Sequence, residues 1–375
     1  MSGSGVTTGR APLRRLLWIA AMIIALIGAP LVAIGSIEIA ARGTELPLAL
    51  AIALACLAPI AAVTVFARRS RRIGAAGLVM NLAVAVFLTT YGSSPLPRPA
   101  PLGGSLPPAS PPAGMALFQL PTGVIHRTAA FGYRGGAFSD RRDFAMTAAL
   151  VKHPRGDLLI DSGLGRGIAT QLPRMPATFR AVTDLEPGQP AAAQLDAAGY
   201  DRTRLRGILL THAHWDHVSG TADFPGVPVL VTADERRFID QGDWVTAIAR
   251  SVTGARYEVY GFEGGAYLGF PRSHDVFGDG SVVVVPAPGH TPGSVIVFVA
   301  LPDGRRFAFV GDLAWQREGI TEREERPWLM RRSADDDPAQ VRDSLLRMAA
   351  VAARFPQITL VPAHDVRGFA GLPRL

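Results

Sequence analysis

The chain has one cysteine, Cys56, in 375 residues, so no intramolecular disulfide can form and a metal site can draw on at most one thiolate. Histidine is also scarce, with eight in the whole chain. Charged residues make up only 18 % of the sequence, and the formal charge of +7 is unevenly placed. Residues 1–92 hold eight arginines (10, 14, 15, 42, 68, 69, 71 and 72) against Glu38 and Glu45, leaving 30 basic and 29 acidic residues for the rest. A nucleic-acid surface needs a basic stripe beside its site. The near-neutral remainder offers none, so nucleic acid is excluded as a partner.

Polar residues are almost missing from three N-terminal stretches, 16–37, 47–66 and 74–91. Each is about 20 residues long and apolar enough to be read as a transmembrane helix. Pro30 interrupts the first and Asn81 the third without disqualifying either. A cleaved signal peptide would have a shorter apolar core and no further spans behind it. With so little polar residue to line a path, the spans do not read as a channel. Arg10, Arg14 and Arg15 precede the first span, four arginines lie between the second and third, and only Arg42 lies between the first and second. The positive-inside rule then puts the N-terminus in the cytoplasm and the chain beyond residue 91 on the outer side of the cell (inner) membrane. Cys56 falls inside the second span, out of reach of any site in the remainder. Residues 93–114 are rich in proline, which removes backbone donors and favours extended polyproline backbone. They are expected to form a semi-rigid spacer between the membrane region, 1–92, and a domain of residues 115–375.

What is abundant is local. Thr211-His212-Ala213-His214-Trp215-Asp216-His217 concentrates three histidines and an aspartate directly after the apolar run 205–210. Side chains leaving a strand tip in a tight loop converge on one point, and imidazole with carboxylate suits zinc or a similar first-row metal. Three further candidates each end an apolar run: His290 after 281–286, Asp312 after 306–311, and His364 after 358–362.

This pattern, His212-x-His214-x-Asp216-His217 followed by His290, Asp312 and His364, resembles the metallo-β-lactamase superfamily of hydrolases over roughly residues 115–375. The resemblance implies an α/β fold, the αββα sandwich, here preceded by three transmembrane helices. It implies two Zn2+ ions, or other divalent first-row metals: His212, His214 and His290 on one, Asp216, His217 and His364 on the other, and Asp312 between. A hydroxide bridging such a pair would be the nucleophile, with Asp216 also orienting it or relaying its proton as a catalytic residue. Asp161 sits where the family has an aspartate that supports a ligand histidine. Because the ligating histidines must be neutral, activity is expected to fall below about pH 6.

Branches of the family separate on single residues. The absence of cysteine at position 312 departs from the β-lactamases that use one there, and His214 departs from the glutamate of flavodiiron proteins. Two complete metal sites depart from the mononuclear persulfide dioxygenases. Ser219-Gly220 departs from the Gly-Gly of glyoxalase II, while the near-neutral domain and its expected place outside the cytoplasm argue against RNase Z. The run from Phe277 to Gly293 is similar to N-acyl homoserine lactonases and their neighbours. An ester, lactone or related small carbonyl compound is therefore the expected substrate. Thioester or β-lactam hydrolysis, or metal binding without turnover, are the alternatives. The aromatics of residues 241–275, Tyr257 and Tyr260 among them, are read either as a substrate-facing insertion or as loop packing, and Trp315 as a pocket-rim residue.

Local patterns predict strands over 115–128 and 143–161, with Pro154-Arg155-Gly156 turning between two of them. A helix over 190–199 precedes the strand into the histidine cluster. The strand 227–231 leads into a helix over 233–240. Strands follow near 281–286, 294–300, 306–311 and 358–362. Asp337-Pro338 opens an amphipathic helix that runs to about Arg354.

Overall fold

The computed structural model describes Phe87 and residues 90–375. The chain divides into two compact units, Met1–Ser94 and Pro95–Leu375, and the fold below is that of the second.

Strands β1 (Ala116–Thr128), β2 (Arg141–Lys152) and β3 (Asp157–Ile160) form an antiparallel meander. Gly156, at φ +114°, makes the β2–β3 turn, and its N–H donates to the His153 carbonyl at 3.0 Å. A short β4 (Leu185–Pro187) borders β1, while β5 (Leu205–Leu209), β6 (Pro228–Thr232) and β7 (Arg256–Tyr260) continue from β3 in parallel. The first sheet therefore runs β4-β1-β2-β3-β5-β6-β7. The second holds β8 (His274–Asp275), β9 (Val282–Pro286), β10 (Val295–Ala300), β11 (Arg306–Gly311) and β12 (Ile358–Pro362), in the order β12-β11-β10-β9-β8.

Strands β3, β9, β10 and β11 are buried on both faces, which is why they read as continuous apolar runs. Period-2 alternation sorts each run between two cores. Val295, Val297 and Val299 of β10 face the space between the sheets with Leu158, Ile160 and Leu209 of the first sheet. Ile296 and Phe298 face outward, against Val341, Leu345 and Met348. Each such side chain contributes roughly 1.5–3 kcal/mol by leaving water. A carboxylate at position 297 would cost several kcal/mol, having no place in that layer to be solvated.

Helices complete the sandwich. Helix α1 (Ala191–Ala197) and helix α3 (Ala233–Gln241) cover the outer face of the first sheet through Ala191, Ala192, Leu195 and Ile239. Between them in sequence lies the single turn α2 (Trp215–Val218). After α4 (Trp328–Ala334), helix α5 (Pro338–Arg354) covers the second sheet. Asp337 caps α5 by accepting the Ala339 and Gln340 N–H groups at 2.9 and 3.2 Å, and Pro338 occupies the first turn where no N–H is required. The expected αββα layering is thus present in residues 95–375.

Two expectations about the N-terminal part need restating. Spans 16–37 and 47–66, and all of 74–91 except Phe87, Thr90 and Tyr91, lie outside the described residues; among the described residues no helix is long and apolar enough to cross a membrane. Residues 95–114 form neither helix nor strand, as their prolines favour, but they are not a free spacer. Leu96, Leu102 and Leu106 pack against the core beneath α5. The strap is also pinned by hydrogen bonds: Leu96 N–H to Arg323 O at 2.8 Å, Ser110 N–H to Asp279 O at 2.7 Å, and Arg306 Nη1 to Pro107 O at 3.1 Å. Proline density dictates an extended backbone but says nothing about what the intervening leucines cover.

The loops that matter leave the strands at their C-terminal ends. β3 leads to Asp161, β5 to residues 211–217, β9 to His290, β11 to Asp312 and β12 to His364. A backbone hydrogen bond from Val295 N–H to Thr211 O, 3.0 Å, ties the two sheets together at this edge.

Candidate metal centre

The β5 loop enters α2 at His214, whose carbonyl accepts the His217 and Val218 N–H groups at 3.0 and 3.1 Å. That single turn swings Asp216 and His217 back toward His212. The loop fits because position 220 is glycine: a Cβ there would lie 2.4 Å from the Ser162 carbonyl oxygen. Gly289 does the same for His290, since its φ of +128° and the approach of the Val341 amide, 2.3 Å from a built Cβ, admit no side chain.

All seven expected ligands meet. His212, His214 and His290 form one group, Asp216, His217 and His364 another, and Asp312 groups with His212 and His217. Every one of the seven is buried, the most exposed being His214 at 9 %. Asp312 lies between the groups, with Oδ2 3.3 Å from His290 Nε2 and Oδ1 3.3 and 3.1 Å from the Nε2 atoms of His217 and His364. His364 Nε2 also lies 3.4 Å from Asp216 Oδ2.

The other ring nitrogen of four histidines is already engaged. His217 Nδ1 is 2.8 Å from Asp161 Oδ2, His290 Nδ1 is 2.9 Å from Asp335 Oδ1, and His364 Nδ1 is 2.7 Å from the Ala145 carbonyl. His212 Nδ1 is 3.2 Å from Thr211 Oγ1, a hydroxyl that donates to Asp161 at 2.8 Å. These acceptors hold the protons on Nδ1 and turn the Nε2 lone pairs inward. Meanwhile Nε2 of His212, His217 and His290 and Oδ1 of Asp312 are buried with no hydrogen-bond partner among the described residues. Unsatisfied acceptors at one buried point are costly unless something binds them. Three imidazoles on one side, two imidazoles and the Asp216 carboxylate on the other, and Asp312 between them make a donor set that zinc and its neighbours take, so the residues fit two divalent cations.

Charge varies across the cluster. Burial, reinforced by the surrounding imidazoles, holds His212 and His214 well below the ordinary histidine value. Burial works against ionisation of Asp312, but His364 and His217 outweigh it and hold the carboxyl well below its usual range. At Asp216 burial wins and the carboxyl is raised.

Asp161 is where the sequence placed it, accepting the Thr211 N–H at 2.7 Å as well as facing His217. Trp315 is beside the cluster, but its Nε1–H donates to Asp312 Oδ2 at 2.8 Å, which makes it first a partner of the carboxylate between the two groups. Tyr257 and Tyr260 are strand residues of β7. Tyr257 packs on the helix-side core and donates to the Ala249 carbonyl at 3.2 Å, and Tyr260 packs toward the inter-sheet core, stacked on His274. Phe262, Tyr267 and Phe270 of the same stretch also pack into the cores. Residues 241–275 are thus largely an edge strand and core-packing loops, because an alternation of aromatics serves a half-buried strand as well as a pocket wall.

Several residues of the site were not legible beforehand. Glu235, 1 % exposed, accepts from Ala213 N–H at 2.6 Å, Thr291 Oγ1 at 2.6 Å and Gly293 N–H at 3.1 Å, joining the loops that carry His214 and His290. Burial pushes its carboxyl up to about 7 against those three bonds. Asp335 and Arg326 stand behind His290, and Gln316 Nε2 donates to the His364 carbonyl at 2.6 Å. Asp335 was hidden in a run of three aspartates, 335–337, of which only Asp337 had a readable role.

The sequence model of the Metallo-beta-lactamase superfamily matches residues 142–364. The probable metallo-hydrolase Rv2300c of Mycobacterium tuberculosis is 31 % identical over 239 residues, 58 % of this chain and 73 % of its own. The N-acyl homoserine lactonase AttM of Agrobacterium fabrum is 27 % identical over 176 residues, 44 % of this chain and 64 % of its own. Among solved structures, an N-acyl homoserine lactone hydrolase with N-hexanoyl-L-homoserine at its catalytic metal centre superposes with a TM-score of 0.53 at 19 % identity, covering 67 % of this chain and 93 % of that one. At that identity the likeness speaks to the fold. The matched span holds all seven buried ligands, and the chain belongs to the metallo-beta-lactamase superfamily.

Proposed function

We propose that this protein is a membrane-anchored binuclear zinc hydrolase that opens a lactone, ester or related small carbonyl compound. The observation that carries the reading is the convergence of buried, unpartnered Nε2 atoms around Asp312, whose Oδ1 is equally unpartnered among the described residues. Two divalent cations held there supply an acidified water and a Lewis acid for the carbonyl oxygen. The chain supplies the rest. Asp161, Asp335 and the Ala145 carbonyl keep three imidazoles in the tautomer that leaves Nε2 free. Asp216, buried and with Oδ2 3.4 Å from His364 Nε2, is placed at the centre of the cluster to relay a proton to the leaving oxygen. No serine or cysteine nucleophile is needed.

An apolar wall favours an acyl group over a phosphodiester. Phe131 stacks on Trp315 with ring centroids 5.6 Å apart, Phe144 lies 6.3 Å from the His364 ring, and Phe238 lies 6.3 Å from the His214 ring. Lactonase relatives and the near-neutral charge of residues 93–375 support the same substrate class. The membrane anchor and the outward-facing domain rest on the three apolar runs and the arginine distribution.

The full-length protein in detergent, loaded with zinc, is to be screened on N-hexanoyl-homoserine lactone, simple esters, thioesters, β-lactams and phosphodiesters. Turnover of lactone or ester, lost in His214→Ala and Asp216→Ala variants that still fold, is the expected result. Turnover confined to phosphodiesters would overturn the carbonyl assignment, and folded protein with two zincs and no turnover of any class would make it a binding module.

A further inference from the structure

We infer that Arg326 and Trp315 are positioning residues that together fix the bridging carboxylate Asp312 and, through Asp335, the imidazole of His290; this rests on the binuclear reading above. Arg326 is 4 % exposed, so its guanidinium depends on fixed partners rather than on water, and its two Nη groups find them. Nη1 donates to the main-chain carbonyl of Asp312, and to that of Leu313 at 3.4 Å. Nη2 donates to Asp335 Oδ1. One buried cation therefore grips the backbone of the bridging residue and the carboxylate behind a ligand histidine.

Hydrogen placement at His290 follows from these contacts. Asp335 Oδ1 is 2.9 Å from His290 Nδ1, whereas Arg326 Nη2 is 3.4 Å from the same nitrogen. A carboxylate has no proton to give, so the nearer contact is His290 Nδ1–H donating to Asp335. The lone pair of His290 is then on Nε2, 3.3 Å from Asp312 Oδ2.

Trp315 acts on the other end of that carboxylate. An indole N–H can only donate, and this one donates to Asp312 Oδ2 at 2.8 Å. The ring is itself held: Phe131 stacks on it at an interplanar angle of 14°, and the Arg326 guanidinium lies 5.0 Å from its centroid. A guanidinium over an indole face is attracted by the ring quadrupole, most strongly where water is excluded. Arg326 thus supports Asp312 twice, through its carbonyl and through the tryptophan that bonds its side chain. Helix α4 is strung between Arg326 and Asp335 and joins the two grips in sequence.

Full-length protein in detergent, wild type and the variants Trp315→Phe, Arg326→Lys and Asp335→Asn, is to be titrated with zinc against a chromophoric chelator. Trp315→Phe keeps a ring in the stack and removes only the N–H. Lysine keeps the charge but cannot reach Asp335 and the Asp312 carbonyl together. Each variant is expected to weaken one of the two zinc sites about 10- to 100-fold, the usual consequence of losing an outer partner. With N-hexanoyl-homoserine lactone as probe, Trp315→Phe should lower kcat with KM unchanged. In metal-free wild type, ¹⁵N spectra, with His290 assigned through His290→Ala, should show the Nδ1–H tautomer. That measurement decides the matter even if the variants do not fold, because an Nε2–H tautomer overturns the clamp. Wild-type zinc affinity in all three variants overturns it too, as does a raised KM in Trp315→Phe with unchanged zinc affinity. Wild type holding fewer than two zincs would instead sink the binuclear reading, a separate result.

Discussion

Replacing Asp161 by asparagine changes one oxygen to an NH2 group at the point where three hydrogen bonds meet. Asp161 sits at φ +56°, a left-handed conformation that asparagine tolerates and that costs other side chains about 1–2 kcal/mol. The backbone should therefore stay in place. The amide oxygen can still accept the Thr211 N–H, now 2.7 Å from Oδ1, which turns the NH2 toward His217 Nδ1, 2.8 Å from Oδ2, and toward the Thr211 hydroxyl. A donor now faces Nδ1, so the imidazole must move its proton to Nε2, the atom that points at Asp312 from 3.3 Å. Zinc at the His217 site must then displace that proton or turn the ring. The expected loss is about 10- to 100-fold in affinity, roughly 1.4–2.8 kcal/mol, at one site only. Chelator competition at pH 7 reads both sites in one titration. Two zincs bound with wild-type affinity would show that Asp161 does not set the His217 tautomer, and the assignment of His217 as a ligand would fall with it.

Glu235 has a carboxyl raised from 4.5 to about 7 in the folded chain, so the native state binds the extra proton between those values. Its stabilising contribution is present below pH 4.5 and is lost as pH rises through 7, by roughly 3 kcal/mol at full ionisation. Urea melts of wild type and Glu235→Gln at pH 5 and pH 8 should show the wild type losing ground to the variant by that amount, and a constant gap would mean Glu235 titrates as an ordinary carboxyl. The double variant Leu102→Ala, Leu106→Ala in the proline strap should lower stability by about 1–3 kcal/mol, since both leucines are only partly buried; an unchanged melting temperature would mean the strap adds nothing. Stripping metal should lower Tm and zinc should restore it, because binding to the native state alone adds about 4 kcal/mol at a thousandfold excess over Kd. A Tm indifferent to zinc would contradict the metal-centre reading.

The candidate metal ligands were legible because they follow apolar runs, and a strand tip is a local feature. Strands β9 to β11 were also legible: apolar side chains buried on both faces leave an almost uninterrupted pattern. Asp337-Pro338 marked the start of α5 by cap chemistry alone. What escaped notice depends on partners far away in sequence. His290 finds Asp335 across 45 positions and Arg326 across 36, and no spacing rule links them. Nothing in the sequence marked Glu235 within its helix, yet it is buried because the loops of Ala213 and Thr291 close over it. Tyr257 and Tyr260 were ambiguous because an edge strand and a pocket wall use the same residues. The leucines among the prolines of 95–114 were the available sign that the strap packs, but a sign of contact does not name the surface contacted.

The central claim is that this buried cluster holds two metals at once. Zinc per chain, measured by elemental analysis on full-length protein after zinc loading and exhaustive dialysis, tests it most directly, with Asp312→Ala alongside as the loss of the shared carboxylate. The account predicts about two zincs in the wild type and fewer in the variant. One zinc or none in a folded, fully loaded wild type would contradict it.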